Sequence, residues 1–181
     1  MTKYGVVVGS LRHHSYSRGI AAALVAGLPA DAEVTYLEIG ELPLYNQDYD
    51  EASPASYTAF RKAVQAQDAF IFVTPEHNRS VPAALKNALD IASRPFGENV
   101  WAKKPALVAS ESISGIAGTL ANHVLLQTLD FLDMPHMQQP ELYIGNVGAL
   151  ADEHGHITNA DTKAFLADSG HKFSKFVNEH R

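Results

Sequence analysis

Residues 73–87 read VTPEHNRSVPAALKN. An apolar run enters this stretch from Asp68 (DAFIFVT) and stops at Thr74, and a proline, an acid, a histidine and an asparagine follow before Val81 opens the next apolar pattern. The apolar residues of DAFIFVT run on instead of alternating, which predicts a strand buried on both faces, as in a parallel sheet. From Ser80 to Ser93 the spacing turns helical. Val81, Ala84, Leu85, Ala88 and Ala92 form one apolar stripe, Ser80 can cap it, and Pro82 is tolerated in the first turn. Buried strand, polar elbow and amphipathic helix together decide the fold class if the unit recurs.

It does recur. YGVVVG (Tyr4–Gly9) is a β-branched strand, and a helix starting at Ser15 or Ser17 and ending near Leu28 follows, with Ile20, Leu24 and Leu28 on one face and Pro29 just beyond. EVTYLEIG (Glu33–Gly40) alternates as a second strand, LPLYNQDYD (Leu42–Asp50) is a loop, and a helix runs from about Ser53 to Gln67. KPALVAS (Lys104–Ser110) is a fourth strand, followed by a helix over Thr119–Leu132. A last strand lies in MQQPELYIGNV, and a helix spans Asp161–His180. Strands alternating with helices predict an α/β fold with a parallel sheet and helices on both faces. Five strands suit a doubly wound, three-layer domain, and no linker, repeat or low-complexity tract divides residues 1–181. Such sheets bind ligands beyond the carboxyl ends of their strands, where strand order reverses. The elbow after Thr74 falls at that end.

Bulk properties narrow the partners. A net charge of -6 and a sequence pI near 5.8 leave no basic footprint for nucleic acid or an anionic membrane surface. The absence of cysteine excludes disulfides, thiolate metal sites and cysteine nucleophiles together. A strand that begins so near Met1 leaves no room for a secretory leader, and no apolar stretch is long enough to span a bilayer. The expected location is cytoplasmic.

Three polar loops carry the chemistry. In GSLRHHSYS, Ser10, Ser15 and Ser17 bring hydroxyls and Arg12 a guanidinium to a helix start whose N–H groups are unpaired, a set suited to a dianionic terminal phosphate. Taken alone, the serines could equally be helix caps and Arg12 a solvated side chain. The loop lacks the glycine-lysine pairing of a nucleoside triphosphate loop and the GxGxxG of a dinucleotide site. In PEHN, extended backbone and the Asn78 amide suit the edge of a flat heterocycle. In SESISGIAG, Gly115 and Gly118 allow close backbone approach to a ring face.

GSLRHHSYSRGIAAAL, LPLYNQDYD and TPEHNRSVPAALKNALDIASRP together resemble the corresponding segments of the NADPH-dependent FMN reductase family, flavodoxin-like enzymes that reduce FMN, quinones, chromate or azo dyes. The resemblance covers about Lys3 to Val147. It implies a flavodoxin-like sheet of order 2-1-3-4-5, bound FMN, NADPH or NADH as electron donor, and a small electron acceptor. It also implies a homodimer or homotetramer. By the same resemblance, Ser10, Arg12, Ser15 and Ser17 hold the FMN phosphate, Pro75, Glu76, His77 and Asn78 lie along the isoalloxazine, and Ser110, Ser112 and Gly115 close from the other side. The cofactor carries the chemistry, in ping-pong order, and no side chain is expected to act as acid, base or nucleophile.

The chain departs from the family pattern at His77, where most relatives have tyrosine, and at Leu120 and His123, where many have arginine and tyrosine. His77 either packs in place of the phenol or, when protonated, stabilises reduced flavin. His13, His14, Asp152, Glu153, His154 and His156 read as solvated loop residues, so no metal is expected. The alternative function, a flavodoxin-like electron carrier, is disfavoured because GSLRHHSYS has an arginine where carriers have a threonine-rich phosphate loop.

Overall fold

The structure, a computed structural model, describes residues 1–180. The strands are β1 (Lys3–Val8), β2 (Glu33–Tyr36), β3 (Ala69–Pro75), β4 (Ala106–Glu111) and β5 (Leu142–Ile144). The helices are α1 (Tyr16–Val25), α2 (Ala55–Gln65), α3 (Ala83–Ser93), α4 (Thr119–Phe131) and α5 (Ala160–Glu179). All strand pairs are parallel, and the order is β2-β1-β3-β4-β5, as the resemblance implied. The chain leaves β1 towards β2 and returns to the other side of β1 as β3, so the crevice between the loops after β1 and β3 is the point where strand order reverses.

The period-two alternation of β3 explains its unbroken apolar run. Ala69, Ile71 and Val73 enter a core with α1 and α5, while Phe70 and Phe72 enter a second core with α2, α3 and α4. Trp101 anchors the second core. It is fully buried, its ring lies 4.8 Å from Phe70 and 5.7 Å from Phe72 by centroid, and its Nε1 donates to the Leu89 carbonyl at 3.1 Å. The indole therefore ties the segment after α3 to the sheet.

On the other face α1 and α5 meet backbone to backbone. A Cβ on Gly170 would sit 2.0 Å from the Leu24 carbonyl oxygen, and one on Gly27 would sit 1.8 Å from that of Ala167. Small residues here let the two helices approach closely enough to seal the sheet beneath Ile20, Leu24 and Phe173.

Several boundaries differ from the sequence expectation: α1 ends at Val25 and not near Leu28, α2 spans Ala55–Gln65, and β4 spans Ala106–Glu111. Strand β2 ends at Tyr36, although the Leu37 amide still bonds the Val6 carbonyl at 2.9 Å. Helix α3 begins at Ala83 and not at Ser80, with Pro82 in the capping position and no side-chain cap. Ser80 instead exchanges both backbone hydrogen bonds with His77, at 2.9 and 3.0 Å, across Asn78 (φ 50°) and Arg79 (φ 64°). Two successive left-handed residues make this a tight reversal, a conformation asparagine tolerates better than most side chains.

Gly170→Ala should destabilise the fold by about 1–3 kcal/mol, the usual cost of overpacking. Urea unfolding followed by far-ultraviolet circular dichroism checks this, and an unchanged midpoint would show that the α1–α5 contact yields easily.

Candidate active site

The loops after β1, β3 and β4 converge on one cavity of about 510 Å³ at the carboxyl end of the sheet, within the range of small-ligand sites. Its polar end is built on β1 and α1. Gly9 is pinned to β3 by its amide, which donates to the Val73 carbonyl at 2.8 Å. Ser10 and Arg12 follow and line the cavity. The Arg12 guanidinium donates to the His14 carbonyl at 2.7 Å and lies 4.6 Å from the centre of the Tyr16 ring. This contact with the ring holds the cation at the start of α1, where first-turn amides have no intrahelical acceptor.

Ser15 and Ser17 act differently from Ser10. Ser15 caps α1, accepting from the Arg18 amide at 3.3 Å. Ser17 is fully buried and donates its hydroxyl to Oε1 of Glu111 at 2.7 Å. Glu111, the last residue of β4, is itself buried and lines the cavity. Burial raises its carboxyl above the ordinary carboxylate range, against the lowering effects of the Ser17 hydrogen bond and the Arg12 and His77 charges.

The elbow forms the next wall, with Pro75, Glu76, His77 and Pro82 facing the cavity. Glu76 locks the elbow to α4. Its Oε2 accepts from the amides of Leu120 and Ala121 at 3.1 and 3.3 Å, and its Oε1 accepts from Arg79 at 2.7 Å. Burial alone would raise this carboxyl, but Arg79 and the two helix-start amides outweigh it, so it titrates below its ordinary value. His77 is exposed, and its backbone groups are engaged by Ser80, so they are not free for a ligand edge. Asn78 occupies the turn and is exposed.

Of the residues after β4, Ser112 lines the cavity and is bridged to Ser114 at 3.1 Å. Ser110 is fully buried behind the wall, donating to the Ala117 carbonyl and accepting from Asn122. Gly115 lies outside the cavity lining, and a Cβ there would meet open space. The structure thus brings Ser10, Arg12, Pro75, Glu76, His77 and Ser112 to one surface, with Ser15 and Ser17 behind it. Sequence reasoning missed Tyr16, Pro82, Ile113 and Glu111. Glu111 did leave a signal, an acid closing the buried run ALVAS.

An anion-binding helix start at one end, apolar prolines along the wall and an open mouth fit a phosphorylated flat ring in shape and donor set. The family described as NADPH-dependent FMN reductase matches over residues 2–149. The chain belongs to the NADPH-dependent FMN reductase family.

A quinone reductase of Pseudomonas putida is 49% identical over 177 residues, covering 97% of this chain and 95% of the relative. A 2-hydroxy-1,4-benzoquinone reductase of a Burkholderia species is 40% identical over 179 residues, covering 99% and 98%. Among solved structures, the flavoenzyme NAD(P)H:(acceptor) oxidoreductase FerB from Paracoccus denitrificans superposes with a TM-score of 0.90 at 33% identity, over 99% of both chains. The protein is therefore an oxidoreductase, with FMN as cofactor and NAD(P)H as electron donor. No helix among the described residues is long and apolar enough to cross a membrane.

Because its folded-state titration is depressed, Glu76 contributes stability that is present above its unfolded pKa and is lost as pH falls through the lower folded value. Glu76→Gln should cost about 1–2 kcal/mol at neutral pH, discounted for the exposed Arg79 partner, with the deficit disappearing in acid. Denaturant midpoints of both proteins across acid and neutral pH measure it.

Proposed function

We propose that the chain transfers electrons from a reduced nicotinamide through FMN to a small oxidant of the quinone class, in ping-pong order. The observation that carries this is the cavity itself, where an arginine-bearing helix start and a proline-walled strip meet at the sheet's reversal point. When bound, FMN supplies a ring that accepts a hydride from the nicotinamide and delivers electrons to the acceptor.

The chain's own residues bind and orient. Ser10, Arg12 and the amides of the first turn of α1 hold the phosphate, with Ser15 and Ser17 fixing that turn from behind. Pro75 and Pro82 offer flat apolar surface to the ring and exclude water from its buried side. Glu76, His77 and Asn78 set the elbow's path along the ring edge, and Ser112 and Gly115 belong to the loop closing from the β4 side, which Ser110 braces from within β4 through the Ala117 carbonyl. Leu11 and Ile113 line the cavity yet remain exposed, which supports a mouth completed by a second subunit of a homodimer or homotetramer. Residues 1–181 act as one domain, and the protein works in the cytoplasm as a cysteine-free chain suited to a reducing compartment.

The relatives named for quinone reduction favour quinones over free flavin, azo compounds or metal oxyanions as acceptors. The protein should show a flavin absorption band that bleaches on anaerobic addition of NADPH or NADH and returns with a benzoquinone. A band that stays oxidised with both nicotinamides would refute the proposal, and initial-rate plots that intersect would refute the ping-pong order. Arg12→Ala should lower FMN affinity by about 1.5–3 kcal/mol, the value of one charge-assisted phosphate contact. Fluorescence titration of the flavin-free chain gives that number directly.

A further inference from the structure

Glu111 is a buried acid inside what is otherwise an anion-binding cradle. Only 6% of the residue is exposed, it lines the cavity, and one carboxylate oxygen is held by the Ser17 hydroxyl at 2.7 Å. Among the described residues no hydrogen bond to its other oxygen is formed. Ser17 stands in the first turn of α1, so this carboxylate lies at the end of the cavity where the phosphate is assigned. We propose that Glu111 couples cofactor binding to a proton: the phosphate of FMN binds as the Glu111 carboxylate takes up one proton from solvent, which makes this residue a determinant of FMN affinity. The proposal rests on the phosphate assignment given above.

The surroundings of the carboxyl define the balance. The loop after β1 contributes Arg12, the loop after β3 contributes His77, and α1 contributes the Ser17 hydroxyl. Glu76 lies in the same wall, but its carboxylate is committed to Arg79 and the α4 amides. The paired neighbours on β3 and β5 are the apolar Pro75 and Ile144, and at the start of α4 Gly118 lies against the backbone of Glu111.

Without ligand, a nearby guanidinium partly compensates the buried charge. A phosphate near the helix start brings about 1.5 to 2 negative charges to the same cation. Two anions sharing one Arg12 repel, and the one that can be neutralised most readily is the carboxyl that burial already biases towards its protonated form. Once protonated, Glu111 changes from an acceptor facing an anion into an O–H donor.

Direction separates this from the ligand's own ionisation. The second ionisation of phosphate near pH 6 strengthens an anion site as pH rises. Proton uptake at Glu111 weakens it as pH rises. His77 would act in the same direction as Glu111, so a variant must distinguish them.

The test is calorimetric titration of the flavin-free full-length chain with FMN and, separately, with riboflavin, at several pH values and in buffers of different ionisation enthalpy. The expected result is net proton uptake with FMN and none with riboflavin, and an FMN affinity that falls as pH rises through the Glu111 titration, by at most about tenfold per pH unit. Glu111→Gln, which keeps an oxygen for the Ser17 hydroxyl, should bind FMN about tenfold tighter at alkaline pH and lose the uptake. A variant that keeps the wild-type uptake and pH slope would assign the proton elsewhere and overturn the proposal. In the wild-type chain, the ¹³C resonance of the Glu111 carboxyl should titrate at higher pH with FMN than without, and an unchanged midpoint would equally overturn it. Absence of binding by both flavins would instead defeat the cofactor assignment, whereas FMN binding with no linked proton defeats this inference alone.

Discussion

From Ala69 to Thr74 strand β3 has no face in contact with water, and most of the molecule follows from that constraint. Its odd residues fill one core and its even residues the other, so both helical layers must be present before the strand can be buried at all. The chain then has to leave a dry environment without orphaning polar groups. It does so through the elbow after Thr74, where His77 and Ser80 pair with each other and Glu76 caps the amides of α4. The same contacts that terminate β3 therefore shape the cavity wall, and stability and site geometry have a common origin.

Electrostatics divides the cavity into unlike halves. At the α1 end a single guanidinium, held over Tyr16, faces a helix start, while a buried carboxylate sits directly behind the first turn. Along the elbow Glu76 and Arg79 are paired with each other, and Pro75, His77 and Pro82 complete the wall. A ligand with one anionic end and one flat end meets each half with matching chemistry. Family membership and the structural match to FerB set this architecture among quinone and acceptor reductases.

Several residues that the motifs singled out serve the scaffold. Ser110 bonds the Ala117 carbonyl, Ser15 caps a helix, and Ser17 gives its hydroxyl to Glu111. Motif positions indicate where a loop goes and not which way each side chain turns. Trp101 shows the reverse case, since it belongs to none of those motifs and yet its burial against Phe70 and Phe72 anchors one of the two cores.

The sequence by itself determined the α/β class, the order of elements, and the three loops that meet at the sheet's carboxyl end, because hydrophobic period and turn residues act over a few neighbours along the chain. Resemblance in the same loops was enough to name the family and the cofactor. Only the tertiary structure decided that α3 starts three residues late, since a left-handed pair at Asn78 and Arg79 is stabilised by pairing His77 with Ser80 and not by propensity. It alone placed Glu111 against Ser17, 94 residues apart in sequence. Contacts of that range depend on the register of β4 beside β3 and on the seating of α1, and no local pattern encodes either.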